Sequence, residues 1–319
     1  MQYYEGPETF RWDYAAEQFD GQYTTTMFTA EALKRIDAET TRDEDGAANT
    51  TKPLFVWLAY HGVHDDAGIK EIPGGGDPFD GRPAAGGGAT RQRRAFAVGL
   101  REVDKGVGEV EDALDRLSGS EEEKTRPYLI VLHPDNGGHP CGVHCAGSNL
   151  PFRGMKFFDF DGALRLPAFV YSPTLLQTNR DFATYNKLTH HVDWLATFAA
   201  AASANVDALL ESDDFDSKNH WPSLLAAATE ESGGAPYTPR SEINFSLYSN
   251  AATVRRRSLK FLFNRSWSDY YPLSTTVSQC FESSNYNFLF DVEADPTEST
   301  NLWNDPRYSA ARDELLELE

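Results

Sequence analysis

The architecture of this chain is decided by one stretch, Tyr128-Leu129-Ile130-Val131-Leu132-His133-Pro134-Asp135-Asn136-Gly137-Gly138. Its opening apolar run contains β-branched and aromatic residues, which predicts a buried β-strand. The strand runs directly into a carboxylate and an amide on a glycine-rich turn. Asn and Gly tolerate positive φ, so the segment also fits a plain turn. In open α/β sheets, however, ligands bind outside the carboxyl ends of strands, and carboxylate and amide oxygens suit a hard cation.

The segments on either side place this strand in an α/β domain. A second apolar run, Leu54–Tyr60, predicts another buried strand. Between the two, apolar residues recur at alternating spacings of four and three from Phe96 to Leu117 and predict an amphipathic helix. Strand, helix and strand together predict a parallel βαβ unit. A third strand is predicted at 168–171, and a helix from about 186 to 202, with His190, His191 and Asp193 in its first half.

The C-terminal part has a different pattern. A Ser- and Asp-rich region at 211–218 and a Gly-Gly-Ala-Pro turn at 233–236 indicate a boundary between domains 1–225 and 226–319. Beyond it, three short strands and a closing helix are predicted, at 242–247, 259–264, 288–292 and 307–318. This pattern is typical of a small α+β domain with an antiparallel sheet.

The charge balance excludes some partners. The chain carries 49 acidic and 29 basic residues, a net charge of −20. Nucleic acid and anionic membrane surfaces would be repelled by such a chain. No apolar run approaches the roughly 20 residues of a transmembrane helix, and no signal-peptide pattern is visible near Met1. Three glycosylation sequons nevertheless suit a secreted glycoprotein; they begin at Asn49, Asn244 and Asn264.

The three cysteines, Cys141, Cys145 and Cys280, leave several alternatives open. The first two are close enough for a short-loop disulfide, and both could equally be free thiols. A histidine between them makes zinc conceivable, but a structural zinc site needs four ligands and the chain has no second cysteine pair.

Polar residues that could form a site follow the predicted strands. His64 comes just after the first strand, and Asp135 and Asn136 come just after the second. We expect neighbouring strand ends to bring these three side chains together. Lys156 and Arg153 follow on the return loop. Alone, each has a plain explanation as a turn, a local hydrogen-bonding histidine or a surface cation. Together they predict metal-assisted chemistry on a charged oxyanion.

Several motifs, taken in order, resemble those of a known family. Leu58-Ala59-Tyr60-His61-Gly62-Val63-His64, Asp135-Asn136-Gly137-Gly138 and Pro151-Phe152-Arg153-Gly154-Met155-Lys156 are similar to three signature blocks of the sulfatases. The nearest likeness is to the arylsulfatase B type. His191–Thr197 and Leu289–Glu298 extend the resemblance over nearly the whole chain.

This resemblance implies a fold and a chemistry. The fold would be alkaline-phosphatase-like: an incomplete mixed sheet flanked by helices, and a small C-terminal domain around a four-stranded antiparallel sheet. The activity would be calcium-assisted hydrolysis of a sulfate ester by a formylglycine hydrate. By position, Asp135 and Asn136 match calcium ligands, Lys156 the lysine that binds sulfate, and His64 a histidine at the sulfate or leaving group. Arg153 is predicted to bind substrate beside Lys156. A cation and an ammonium would stabilise the transition state, and a histidine could protonate the leaving oxygen.

The chain also departs from the family pattern. It has no C/S-x-P-x-R motif, which carries the formylglycine nucleophile, and it lacks the paired aspartates that complete the calcium site. We therefore predict an N-terminally truncated sulfatase with negligible turnover of its own. The full-length protein would be secreted or lysosomal if it carried a signal peptide. The alternative is a non-catalytic, sulfatase-like remnant that binds sulfated glycans or a protein partner. The substrate stays open among aryl sulfates, sulfated hexosamines and algal polysaccharides.

Overall fold

The computed structural model divides the chain into two units. The first comprises Met1–Arg126 with Gly142–Gly147, and the second comprises Pro127–Cys141 with Ser148–Glu319. The residues that the structure describes are 2–3, 13–14, 23–38, 53–64, 91–119, 126–140, 147–156, 158–176, 182–211, 215–229, 238–248, 251–267 and 284–316. The predictions for the three cysteines, for the sequon at Asn49 and for the turn at 233–236 lie outside these residues. The predicted boundary at 225/226 therefore stays a prediction.

The first unit is built on two helices. Its elements are β1 (Gln2–Tyr3), β2 (Asp13–Tyr14), α1 (Thr24–Ala38) and α2 (Arg91–Ser118). The amphipathic helix predicted at 96–117 is confirmed in α2. Its apolar face packs against α1, with Met27 and Ile36 of α1 and Val103 and Ala113 of α2 buried. Among the described residues, no helix combines the length and apolar content that a membrane crossing requires.

The prediction of a buried strand at Leu54–Tyr60 is wrong for the described structure. The segment has no strand assignment, and the side chains of Phe55 and Trp57 are 69% and 78% exposed. Apolar content indicates that a segment seeks burial, but a strand also needs a neighbour to complete its hydrogen bonds. In the described part of the first unit no strand lies beside this segment. The predicted parallel βαβ unit is therefore absent from the described residues.

The second unit contains the remaining helices and strands. Its elements are β3 (Ile130–Leu132), α3 (Asp161–Leu164), β4 (Phe169–Tyr171), α4 (Asp193–Ala201), α5 (Asp207–Leu210), α6 (Trp221–Thr229), β5 (Glu242–Tyr248), β6 (Ala251–Arg256), β7 (Leu259–Trp267), β8 (Ser284–Asp291), a short 3₁₀ turn (Pro306–Tyr308) and α7 (Ser309–Leu316). β3 and β4 confirm two predicted strands. They pair antiparallel, with Ile130 opposite Tyr171, and β3 is half-buried rather than buried.

The helix predicted from about 186 is shorter than expected. It is α4, which begins at Asp193, so His190 and His191 precede it instead of lying within it. The Asp193 carboxylate explains this start, because its Oδ2 accepts the backbone N–H of His190 at 2.8 Å. A side chain that bonds the backbone just before a helix favours a boundary at that point.

The C-terminal sheet has four antiparallel strands in the order β5-β6-β7-β8. Both of its faces are covered. Leu262, Phe288 and Phe290 pack with Phe160 on one face, and on the other face residues of β6, β7 and β8 pack with Leu315 of α7. The sequence predicts β5, β7 and β8 but misses β6, because Ala251-Ala252 has low strand propensity and Arg255-Arg256-Arg257 suggests only a basic cluster.

A buried ion cluster joins this sheet to α3. The ammonium of Lys260 on β7 lies 2.7 Å from Asp161 Oδ1 and 2.7 Å from Glu298 Oε1, and all three side chains are buried. Glu298 Oε2 also accepts the backbone N–H of Asp161 at 2.6 Å. Burial raises the pKa of the Glu298 carboxyl, while the Lys260 charge opposes that rise. Two carboxyl groups therefore share one buried cation, and the half-exposed Arg165 adds a longer contact, 4.0 Å from Asp161 Oδ2.

We predict that Lys260→Met lowers the free energy of unfolding by about 3–5 kcal/mol at pH 7, because two buried carboxyl groups lose their counter-ion. Burial raises the folded-state pKa of the Glu298 carboxyl, and a group of this kind contributes stability that is lost as pH rises through that pKa. The deficit of the variant should therefore be smaller at pH 5 than at pH 8. Urea unfolding at the three pH values measures both effects. The control is Lys34→Met, which removes an exposed lysine; equal effects of the two variants would contradict the prediction.

Candidate functional site

The turn after β3 carries the two predicted oxygen ligands, Asp135 and Asn136. Asp135 Oδ1 accepts the backbone N–H of Asn136 at 2.9 Å, and Asn136 Nδ2 donates to the carbonyl of Gly137 at 2.9 Å. These bonds use one carboxylate oxygen and the amide nitrogen. The second carboxylate oxygen of Asp135 and the amide oxygen of Asn136 could therefore face a ligand. Asp135 is exposed and Asn136 is half-buried.

Asn149 fixes this turn to the following loop. Its Oδ1 accepts the N–H of Gly138 at 2.7 Å, and its Nδ2 donates to the carbonyls of Gly138 at 2.9 Å and Gly154 at 3.0 Å. One amide side chain thus binds the backbone of both segments. The amide group of asparagine has a donor and an acceptor in one plane. Glutamine has the same group, but its side chain is longer.

Close contact between glycines completes the frame. A Cβ on Gly137 would lie 1.9 Å from the carbonyl oxygen of Gly162, and one on Gly162 would lie 2.4 Å from that of Arg153. The contacts are also hydrogen-bonded: Gly137 N–H donates to Ala163 O at 2.9 Å, and Gly162 N–H donates to Arg153 O at 2.6 Å. The Asp135–Asn136 turn therefore rests directly on the backbone of α3.

Lys156 is held in the same frame. Its backbone N–H donates to the carbonyl of Gly138 at 3.2 Å, which is the carbonyl that Asn149 also binds. Burial lowers the pKa of His139, and the charge of Lys156 lowers it further, so the ammonium acts on the ring next to the turn. The structure therefore brings Lys156 and the Asp135–Asn136 turn into one small region of the second unit.

Arg153 has a different environment. The side chain is buried, its Nη1 donates to the carbonyl of Glu298 at 3.1 Å, and its guanidinium lies 4.2 Å from the centre of the Phe160 ring. A second aromatic ring, that of Phe288, lies 5.3 Å from the same group. These contacts favour a structural role for Arg153, supporting the loop that carries Lys156, over the predicted role in binding substrate.

His64 lies in the first unit, on a turn in which its N–H donates to the carbonyl of His61 at 2.9 Å. Gly62 allows that turn to pass closely over the helices, because a Cβ there would lie 2.8 Å from Thr25 Oγ1 and 3.2 Å from Val103. His61 packs edge-on against Phe28 at a ring separation of 5.4 Å. His64 itself is exposed, and its placement near the other four predicted site residues stays a prediction.

The donor set has the chemistry for a cation but is incomplete. Asp135 and Asn136 offer two oxygen ligands, whereas calcium takes about six to eight. Among the described residues there is no group of three or more His, Cys, Asp or Glu side chains that could hold a metal.

Comparison with known proteins identifies the family. The family model described as Sulfatase matches residues 2–204. The chain belongs to the sulfatase family. It is 30% identical to arylsulfatase J of Mus musculus over 212 residues, covering 66% of this chain and 31% of that protein. It is 31% identical to steryl-sulfatase of Mus musculus over 163 residues, covering 50% of this chain and 23% of that protein.

The fold is confirmed by solved structures. The crystal structure of Ps i-CgsB in complex with k-i-k-neocarrahexaose superposes with a TM-score of 0.66 at 20% identity, covering 93% of this chain and 54% of that one. The predicted alkaline-phosphatase-like sulfatase fold is thus confirmed. This sulfatase chain spans about a third or less of the two curated relatives and about half of the solved structure.

The second unit contains a cluster of rings that the sequence does not predict. His133, at the end of β3, lies 5.0 Å from the ring of His191 and stacks on Trp194 at 6.0 Å. Burial lowers the pKa of His191, as do the neighbouring His133 and His190, while Asp135 opposes the shift. The sequence predicts no function for His190 and His191, because only the tertiary structure places His191 beside the turn that carries Asp135.

Asp193 is the centre of a second buried network that the sequence did not reveal. Its carboxylate accepts from Arg240 Nη2 at 2.7 Å and His220 Nε2 at 3.2 Å. The Tyr185 hydroxyl lies 2.7 Å from His220 Nδ1, so tyrosine, histidine and aspartate follow the order of a nucleophile, base and orienting acid. Burial, however, raises the pKa of Tyr185 to about 12, which keeps the hydroxyl a neutral donor. Because Asp193 and His220 are both fully buried, a substrate could not reach either group, and we interpret the network as structural.

We predict that Gly137→Ala destabilises the protein by about 3 kcal/mol, because its Cβ would overlap backbone that cannot move aside as a side chain could. Gly108→Ala is the control. Gly108 lies inside α2, and a methyl group added there would have no neighbour within 4 Å, so alanine should add about 0.5–1 kcal/mol of stability. Urea unfolding measures both. A Gly137→Ala variant as stable as the wild type would contradict the close contact.

We also predict that Asp193 makes stability depend on acidic pH. Burial alone would raise its pKa, but hydrogen bonds from His220, Arg240 and two backbone N–H groups outweigh burial and hold the pKa well below its ordinary range. A carboxylate with a depressed folded-state pKa stabilises the fold above its unfolded pKa of about 3.9 and loses that contribution as pH falls. Unfolding of Asp193→Asn between pH 2 and 5 should show a weaker pH dependence than wild type. Parallel curves would contradict this.

Proposed function

We propose that this chain supplies the sulfate-binding half of a sulfatase active site. The observation that carries the proposal is the shared frame at Gly138, whose carbonyl accepts hydrogen bonds from both Lys156 and Asn149. These hydrogen bonds join the backbone of the lysine to the turn that carries Asp135 and Asn136, which supports a common site for the three residues. An arrangement of this kind suits a tetrahedral oxyanion whose charge must be balanced from two sides.

In this proposal each residue has one task. Lys156 binds a sulfate oxygen through its ammonium. Asp135 and Asn136 contribute oxygen ligands to calcium, which when bound would supply further positive charge to the sulfate oxygens. His64, matched through the family motif, donates a proton to the leaving alkoxide. Arg153 supports the loop below Lys156 through its contacts with Phe160 and Glu298.

The proposed site residues do not include a nucleophile. No C/S-x-P-x-R motif occurs in the 319 residues. We propose that a formylglycine nucleophile and further calcium ligands come from sequence beyond this chain, in keeping with the share of its relatives that the chain spans. Such a full-length protein would be a sulfuric ester hydrolase, secreted or lysosomal if it carries a signal peptide. The likeness of the motifs to the arylsulfatase B type stays a prediction from the sequence.

Sulfate binding tests this proposal. Titration calorimetry with sodium sulfate, with and without calcium, should show binding that calcium strengthens. Lys156→Ala should weaken it at least about tenfold, since a charge-assisted hydrogen bond contributes about 1.5–3 kcal/mol. Lys34→Ala, an exposed lysine on α1, is the matched control. Equal sulfate affinity of the Lys156→Ala variant and wild type would overturn the assignment.

Turnover separates the two candidate functions. The 319 residues alone should not hydrolyse 4-nitrophenyl sulfate detectably, because a site without its nucleophile retains only about 10³–10⁴-fold of the 10⁶-fold or greater acceleration of an enzyme. Rapid calcium-dependent release of sulfate would show that the nucleophile is present in the chain. Calcium-independent binding of sulfated glycans, unaffected by Asp135→Asn, would favour the non-catalytic alternative.

A further inference from the structure

A column of aromatic rings borders the proposed sulfate site. Trp194 stacks on Phe198 at 5.4 Å and 17°, and on His133 at 6.0 Å and 7°. His133 in turn lies 5.0 Å from His191. The four rings, called the ring column below, extend from the first turns of α4 to the end of β3. His133 is only two residues from Asp135, so the ring column is continuous with the turn that presents the oxygen ligands.

One end of the ring column is open. His191, which precedes α4, is exposed, and Leu195 in the first turn of α4 is 50% exposed. The interior is fixed by its own contacts. His133 Nδ1 lies 2.9 Å from the carbonyl of Pro134, which can only accept, so Nδ1 carries the proton and the ring cannot turn freely. A rigid ring surface therefore ends in an exposed imidazole beside Asp135.

The composition of this surface limits what can bind it. A purely apolar ring, such as a steroid or simple aryl group, is best accommodated by an enclosed apolar pocket. The open end of the ring column instead combines an aromatic face with a ring nitrogen and the nearby carboxylate of Asp135. A sugar has a matching pattern, because its C–H groups form an apolar face and its hydroxyls require hydrogen-bond partners. Histidine supplies both kinds of contact in one side chain.

We propose that the His191 end of the ring column binds the sugar ring that carries the sulfate ester, so that the substrate is a carbohydrate sulfate. Trp194 and His133 position the His191 ring by stacking, and His191 makes the contact. This inference rests on the proposed function, because the sugar is oriented by the sulfate group held at Lys156. It selects among the substrate classes that the motifs leave open.

Calorimetry with four probes tests the proposal: sodium sulfate, N-acetylglucosamine 6-sulfate, unsulfated N-acetylglucosamine and 4-nitrophenyl sulfate, all with calcium. The wild-type chain should bind the sugar sulfate about two- to tenfold more tightly than sulfate, which is the gain expected from one ring contact. His191→Ala should remove that gain and leave sulfate affinity unchanged. His191→Phe, which keeps the ring, should retain most of it. Phe182→Ala, an exposed aromatic outside the ring column, is the control and should change nothing.

Each result has a separate meaning. A gain for 4-nitrophenyl sulfate equal to that for the sugar sulfate overturns the proposal, because the ring column would then be an aryl site. Sugar-sulfate affinity unchanged in His191→Ala also overturns it, while the proposed function stands if Lys156→Ala still loses sulfate. Absence of sulfate binding together with absence of sugar-sulfate binding overturns both. Circular dichroism of each variant, unchanged from wild type, excludes loss of binding through unfolding.

Discussion

The part of the candidate site that lies in the second unit depends on a backbone contact that only glycine permits. The turn bearing Asp135 and Asn136 lies against Gly162 at the start of α3, and Gly162 lies against the carbonyls that precede Lys156. Three chain segments thus meet without any side chain between them. Backbone-to-backbone contact leaves little room for the segments to shift, so the fold itself sets where the backbone of Asp135, Asn136 and Lys156 lies.

Two buried aspartates form ion pairs that join the helices near this glycine contact to the C-terminal part of the second unit. Asp161 is the first residue of α3 and pairs with Lys260, while Asp193 is the first residue of α4 and pairs with Arg240. Each short helix thus begins with a carboxylate, which its N-terminal dipole favours, and each carboxylate is neutralised by a cation at or just before the C-terminal sheet. The sheet is therefore the electrostatic support of both helices that border the site, although it contributes no ligand of its own.

The sequence predicts the local secondary structure better than it predicts the contacts between distant segments. Local patterns were reliable where one element decides them: α2 follows its apolar spacing, and β5, β7 and β8 follow their β-branched and aromatic runs. The sequence did not predict which distant segments contact each other. Leu54–Tyr60 has the composition of a strand but no described neighbour, and Arg153 looked like a surface cation although it is buried against Phe160. His133 and His191 are 58 residues apart in the sequence, so no spacing rule could have paired them, whereas the motif of Asp135, Asn136 and Lys156 identified residues that do share one frame.

The register of the strands in the C-terminal sheet is not fixed by apolar and polar alternation alone. Usually the alternation of apolar and polar residues fixes strand register, because a slip by one residue would turn the apolar side to water. Here both faces are covered, so Phe288-Leu289-Phe290 would be buried after such a slip as well. Lys260 removes the ambiguity. A one-residue slip of β7 would turn its ammonium away from Asp161 and Glu298 and into the apolar layer around Leu315, at the cost of an unpaired buried charge. A single buried lysine thereby selects one strand register in a sheet whose two faces are both apolar.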